Sequence, residues 1–263
     1  TDRAAMPTLR RMKTLTLPHG GSHWPCTLVT GASSGMGRAL SLRLADHGVR
    51  VIALGRQKRA LDELAATNAL ITPVCADLSQ IAELQALSRQ LIHAHPDLGC
   101  IIHNAGIQCN LRFDDEASTT HSIQHEIDTN LVAPLVLTRA LLAHLQSQPQ
   151  AWIVNVTSGL GYVPKSTSAV YCATKAALHL FTQGLQVQFK GTHVNAVEAV
   201  MPLVDTPMTA GRGSGKLSAD EAARQIIAGL QSGRNTLWIG KAKAVPWLMR
   251  IAPGVLRRVM ART

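Results

Sequence analysis

Cys26-Thr27-Leu28-Val29-Thr30-Gly31-Ala32-Ser33-Ser34-Gly35-Met36-Gly37 decides the fold of this chain. A short apolar run stops at a glycine, passes through a turn rich in glycine and serine, and enters a helical pattern of Leu40, Leu42, Leu44 and Ala45. Strand, glycine-rich turn and helix in that order lay a pyrophosphate on a helix N-terminus, where backbone N–H groups have no partner within the helix. Glycines let the backbone approach the phosphates and let the helix pack closely on the strand. The spacing is Gly-x-x-x-Gly-x-Gly, which differs from the Gly-x-Gly-x-x-Gly of the usual dinucleotide fingerprint.

Outward from this stretch the pattern alternates. Strands are expected over 26–30, 50–54, 71–75, 99–103, 151–156, 192–199 and 236–239. Helices are expected over 35–47, 57–67, 79–94, 118–147 with a break near Asp128, 169–190 and 218–231. Ser218-Ala219-Asp220-Glu221 reads as a capping box for the last of these. The strands are near-continuous apolar runs, as in a parallel sheet covered by helices on both faces. The fold class is therefore α/β, a doubly wound parallel sheet of about seven strands in one domain. Right-handed crossovers bring the loops that follow the strands to one edge, where ligands bind in such sheets.

The second informative stretch is Tyr171-Cys172-Ala173-Thr174-Lys175, with Ser158 upstream at the end of Ile153-Val154-Asn155-Val156-Thr157. On a helix, residues i and i+4 share a face, so the phenol and the ammonium point into one small volume. A phenol with a pKa of about 10 exchanges protons poorly at neutral pH. A nearby cation is expected to pull that value down toward the range of acid–base catalysis.

Together these motifs resemble the classical short-chain dehydrogenase/reductase family, whose fold is Rossmann-like. Further matches follow in order: Asn104-Ala105-Gly106 after a strand, Asn130 in a helix, Ser158, the Tyr171/Lys175 pair, Asn195, and Met201-Pro202-Leu203-Val204-Asp205-Thr206. The likeness spans about residues 26–240. It implies an oxidoreductase that moves a hydride between a nicotinamide cofactor and a carbonyl or alcohol carbon. Tyr171 would be the general acid/base, Ser158 would hold the substrate oxygen, and Lys175 would lower the Tyr171 pKa and grip the nicotinamide ribose. Asn130 would hold a water linking Lys175 to solvent. Cofactor contacts fall to Gly31, Ser33, Ser34, Gly35, Met36 and Gly37, to Asn104, Ala105 and Gly106, and to Tyr171, Lys175 and Thr206. Asp77 and Leu78 would meet the adenine, although Asp77 with Gln80 also reads as a helix N-cap. The family's late loop carries Pro-Gly where this chain has Pro202-Leu203, so its backbone there is expected to run differently.

The second strand ends in Gly55-Arg56. An acidic residue there would bond ribose hydroxyls and repel a 2′-phosphate, whereas arginine offers a fork of donors suited to phosphate. NADP(H) is the expected cofactor, with NAD the alternative. Leu160, Tyr162, Val163, Leu203 and Met208 are the expected pocket lining and point to an apolar carbonyl or alcohol substrate. The glycine-rich Thr209–Lys216 stretch reads as a mobile loop, either a lid or a plain surface connection. A different class, a non-catalytic dinucleotide-binding regulatory or assembly protein, is the competing reading. Family members assemble through two long helices, here 118–147 and 169–190, so a homodimer or homotetramer is expected.

At 263 residues the chain holds one large core. Its net charge of +10 comes entirely from the ends: residues 1–25 carry +3, residues 234–263 carry +7, and the rest balances. A neutral body argues against a specific nucleic-acid clamp. Residues 1–25 read as a basic, disordered leader ahead of a catalytic domain over 26–240, and 241–263 as a basic amphipathic segment. There Trp247, Leu248 and Ile251 form one apolar face and Val255, Leu256, Val259 and Met260 another. Such a segment suits packing on protein or peripheral contact with an anionic membrane. Five scattered cysteines, at 26, 75, 100, 109 and 172, fit reduced thiols and a cytoplasmic location rather than a disulfide framework or metal site.

Overall fold

The computed structural model describes Leu15 and residues 24–254. Alternation within each central strand feeds two separate cores, because successive side chains point to opposite faces of a sheet. Val29, Ala53, Ile102 and Val154 enter one core, and their neighbours Leu28, Ile52, Ile101 and Ile153 enter the other. The strands are β1 (Cys26–Thr30), β2 (Val51–Gly55), β3 (Ile71–Cys75), β4 (Leu98–His103), β5 (Ala151–Ser158) and β6 (Val194–Met201). Two short ones, β7 (Val204–Asp205) and β8 (Leu217–Ser218), pair only with each other, and β9 (Thr236–Trp238) closes the main sheet. The main sheet runs β3-β2-β1-β4-β5-β6-β9 and every pairing in it is parallel. Each fully buried Leu, Ile or Val contributes about 1.5–3 kcal/mol, so the two cores dominate stability.

The first core is covered by α1 (Gly35–Asp46), α2 (Lys58–Ala65) and, further along the chain, α7 (Ala219–Gln231). The second is covered by α3 (Leu84–Ala94), α5 (Ala133–Ser147) and α6 (Ala169–Gln188). Between α3 and α5 lies α4 (Thr120–Ile127), which runs into a π turn at Asp128–Val132 before α5 begins. The cause is Pro134 in the first turn of α5. Proline has no N–H, so the Asn130 carbonyl loses its α-helical partner and the helix widens there.

Expected and observed boundaries agree to within a few residues, and two local readings are corrected. Asp77 is not a helix cap: it accepts from the Ser79 N–H at 3.0 Å in a tight turn, and the next helical turn starts after Gln80. Ser218 caps α7 through the Glu221 N–H at 3.2 Å. The expected leader is not free of the fold at its near end. Trp24 is buried and stacks on Trp152 at 4.8 Å between ring centroids, and Leu15 is buried as well. The rest of that leader, and the face made by Val255, Leu256, Val259 and Met260, lie outside the described residues. In α8 (Val245–Ile251), Trp247 and Ile251 are 64% and 60% exposed. Among the described residues no helix is long and apolar enough to cross a membrane.

Candidate active site

The sheet order reverses between β1 and β4, and the strand ends on either side of that point open into one cavity of about 1080 Å³. Its floor is tied across the reversal. The Asn104 amide donates to the Thr30 carbonyl at 2.9 Å, and the Asn104 and Ala105 N–H groups both donate to Thr30 Oγ1. Gly31, Ser33, Ser34, Gly35, Met36 and Gly37 line one end. A side chain at Gly37 would collide with the Gly31 carbonyl oxygen, so this approach of helix to turn admits only glycine. Ser34, the residue before α1, makes no capping bond with its side chain, and no acidic residue lies in the first turn. The helix start therefore keeps its positive end for an anion.

Gly55, Arg56, Asp77 and Leu78 reach the same end of the cavity. A Cβ at position 55 would lie 3.2 Å from Ser33 Oγ, so a side chain there would crowd the glycine turn. Of the cations that follow β2, Lys58 pairs with Asp62 and Arg59 with Glu63, while Arg56 has no ion-pair partner among the described residues. Thr206 packs over Gly35, and Gly106 separates Asn130 from Lys175.

At the other end, Ser158 terminates β5 and Tyr171 and Lys175 rise from the first turns of α6, all facing the cavity. Ser158 Oγ accepts from the Leu160 N–H at 3.1 Å and shares a hydrogen bond with the Tyr171 hydroxyl. Lys175 Nζ lies over the Tyr171 ring, 5.7 Å from its centroid, and donates to the Val156 carbonyl at 2.9 Å. Asn130 sits one layer behind. Its amide donates to Ile107 O at 2.8 Å and Thr174 Oγ1 at 3.3 Å, and its Oδ1 accepts from the Ile107 N–H. Both amide donors are spent, so a water could bond this side chain only through the second lone pair of Oδ1.

One expectation is reversed. Burial pushes the Tyr171 phenol up to about 12, outweighing the Ser158 hydrogen bond that lowers it. Lys175 Nζ stands 5.7 Å from the centroid of the Tyr171 ring, and burial brings its own ammonium down to about 8. Tyr171 is therefore protonated at neutral pH, and Lys175 gives up its proton far more readily than a solvated lysine.

Pocket lining is partly as expected. Leu160, Leu203 and Met208 line the cavity; Val163 is buried away from it, and Tyr162 turns into the protein. Tyr162 donates to the buried Glu198 at 3.0 Å, and Glu198 also accepts from Thr157 at 2.5 Å and meets His179 Nδ1 at 2.8 Å. This network joins β5, β6, α6 and the turn after Ser158, and the sequence reading missed it. The available signal was a lone glutamate in the apolar strand Val194-Asn195-Ala196-Val197-Glu198-Ala199-Val200-Met201. Leu203, standing where the family has glycine, adopts ordinary negative φ. Its side chain presses on Gly213, where a Cβ would lie 2.5 Å from Leu203 Cδ2 and φ is +61°.

A parallel sheet reversing at a glycine-rich turn, with serine, tyrosine and lysine across the cavity, defines a dinucleotide-binding oxidoreductase class. The short chain dehydrogenase family model matches residues 25–216, and this chain belongs to that family. It is 34% identical over 216 residues to the uncharacterized oxidoreductase DltE of Bacillus subtilis, covering 80% of this chain and 86% of that protein. Among solved structures, a short chain dehydrogenase from Burkholderia cenocepacia in complex with NADP superposes with a TM-score of 0.80 at 24% identity. That match covers 90% of this chain and 97% of the other. A short-chain dehydrogenase from Sphingobium yanoikuyae in complex with NADPH superposes with a TM-score of 0.76 at 25% identity, covering 89% and 95%.

Proposed function

We propose that the protein is an NADP(H)-dependent oxidoreductase that interconverts a carbonyl and an alcohol, acting in the reducing direction at neutral pH. The observation that carries this reading is the placement of Ser158, Tyr171 and Lys175 on one wall of the cavity that ends at the glycine turn and Arg56. Gly31–Gly37, Asn104–Gly106, Thr206 and Lys175 would hold the cofactor, with Asp77 and Leu78 beside its adenine. Arg56 and Ser33, with no carboxylate at position 55, suit a 2′-phosphate. The relatives solved with NADP and NADPH agree with that preference.

When bound, the nicotinamide supplies the hydride. Ser158 Oγ and the Tyr171 hydroxyl orient the carbonyl oxygen, so that negative charge develops against two donors. Tyr171 gives its proton to that oxygen, completing the alcohol. The resulting phenolate is buried, and Lys175 both stabilises it and can return a proton to it. Asn130 keeps the loop at Ile107 and the helix at Thr174 in register behind Lys175. The cytoplasmic location and the assembly as a homodimer or homotetramer through α4–α5 and α6 belong to the same proposal.

The test is NADPH and NADH oxidation against a panel of aromatic and aliphatic carbonyls, with Tyr171→Phe alongside. Wild type should favour NADPH, and the variant should lose about 10²–10⁴-fold in kcat while still binding NADPH. Equal inertness of the two proteins with NADPH bound would leave only a binding protein.

A further inference from the structure

Among the described residues, two half-buried cations on the substrate side of the cavity, Lys165 and Arg212, have no carboxylate to pair with. Lys165 precedes α6, and its backbone N–H donates to Cys172 Sγ at 3.4 Å, which sets it beside Tyr171. Arg212 lies on the glycine-rich loop between β7 and β8 and donates to Gln108 Oε1 at 3.0 Å. Both are half-buried and both line the cavity. Among the described residues neither has a carboxylate within ion-pair distance, although Arg43, Lys58, Arg59 and Arg224 all do. The nearby carboxylates are engaged elsewhere: Glu126 accepts from the Cys109 N–H, and Asp205 faces Lys216. Partly burying two like charges without a counter-ion is unfavourable.

The neutral groups around them tell the same story. Asn110 Oδ1 accepts from Lys165 Nζ at 3.2 Å, Thr167 Oγ1 at 3.2 Å and Ser168 Oγ at 3.1 Å. A carbonyl oxygen has two lone pairs, so three donors crowd one acceptor. Gln108 spends its oxygen on Arg212 and its amide on Ser168. The patch, which opens to solvent at Asn110, holds more donors than acceptors. Lys165, Arg212 and Tyr171 line the same cavity, and the Arg212 charge, after burial, depresses the Lys165 ammonium. The cofactor phosphates are assigned to the glycine turn and Arg56, so they do not account for this pair.

We propose that the substrate is an organic acid, an oxo acid or the matching hydroxy acid, whose carboxylate is seated between Arg212 and Lys165 while Leu160, Leu203 and Met208 cover its apolar body. The inference rests on the carbonyl–alcohol reading above and narrows it from any apolar carbonyl to an amphipathic one. A planar guanidinium engages a carboxylate through two parallel donors, the ammonium adds a third, and one carboxylate offsets half of the charge the two cations carry.

The test compares benzoylformate and benzoylpropionate with their methyl esters as substrates in the presence of NADPH. Titration calorimetry of phenylbutyrate, which has no reducible carbonyl, against the NADPH-loaded protein is run in parallel. The free acids should exceed their esters in kcat/KM by about tenfold or more, the size of one charged hydrogen bond. Arg212→Gln and Lys165→Gln should each collapse that ratio and weaken phenylbutyrate binding, whereas Lys190→Gln, on a remote surface, should change neither. Reduction of acid and ester with equal efficiency, unmoved by either substitution, would overturn the carboxylate seat and leave the reductase reading intact. Binding of phenylbutyrate that depends on Arg212, with no carbonyl reduced, would sustain the seat and remove the reductase reading. Failure of phenylbutyrate to bind wild type would overturn the seat whatever the turnover.

Discussion

A buried lysine with no carboxylate beside it is tolerated here because the Val156 carbonyl takes one of its hydrogens, and its influence reaches the next strand. His103 on β4 is buried, bonds Thr138 Oγ1 at 2.9 Å through Nε2, and leaves Nδ1 without a partner. Burial, and then the Lys175 charge, push its pKa from 6.5 to about 3. The fold therefore holds the neutral ring, and the unfolded chain binds the extra proton between those two values. The stability this gives is complete above pH 6.5 and drains away as pH falls toward 3, with a slope limited to about 1.4 kcal/mol per pH unit. His103→Gln, which can keep the Thr138 bond, should flatten the fall of Tm between neutral and mildly acidic pH. Parallel pH curves for the two proteins would show that the acid sensitivity lies elsewhere. The alignment of Tyr171 over Lys175 is legible from an i, i+4 spacing alone. The direction of the Tyr171 shift is not, because it depends on burial by residues far along the chain.

Elements were legible where periodicity is strong and opaque where partners are distant. The apolar runs of β1, β4 and β5 announce themselves, and the break before α5 follows from Pro134. The two-residue pair β7–β8 has no local signature, yet it clamps the base of the loop carrying Arg212, with the Leu217 N–H donating to Leu203 O at 3.0 Å. Tyr162 looked like pocket lining because its partners, Glu198 and His179, are invisible until the strands are ordered. That network fixes the turn after Ser158 to α6, so it sets how the serine faces the tyrosine. Glu198→Ala should lower stability by about 3 kcal/mol, since it removes the acceptor shared by buried Thr157 and half-buried Tyr162 and His179, and should lower kcat more than it raises KM. Glu198→Gln, which keeps an acceptor, should recover most of both. Full activity in a destabilised Ala variant would confine the network to structure.

For the whole molecule, the balanced charge of the body and the cationic ends were readable by counting. The assembly surface is less so. On α6, Leu180 and Val187 are 65% and 76% exposed and lie two turns apart on one face. If the protein is a dimer or tetramer through this helix, light scattering should show that Leu180→Glu shifts it to monomer at micromolar concentration; a wild-type monomer would end the idea.

The reversal of strand order between β1 and β4 divides labour within the chain. On the proposed reading, the stretch from the glycine turn to Asp77 addresses the nucleotide alone, while the segments that follow β5 and β6 lend Lys175 and Thr206 to the cofactor and Lys165, Leu203 and Arg212 to whatever is reduced. Thr30 and Asn104 are the hinge pin between these halves. On that reading, substitutions at Lys165, Leu203 or Arg212 alter the substrate side while the glycine turn and Arg56 stay as they are, so that one substrate could be exchanged for another by rewriting two loops above the same sheet.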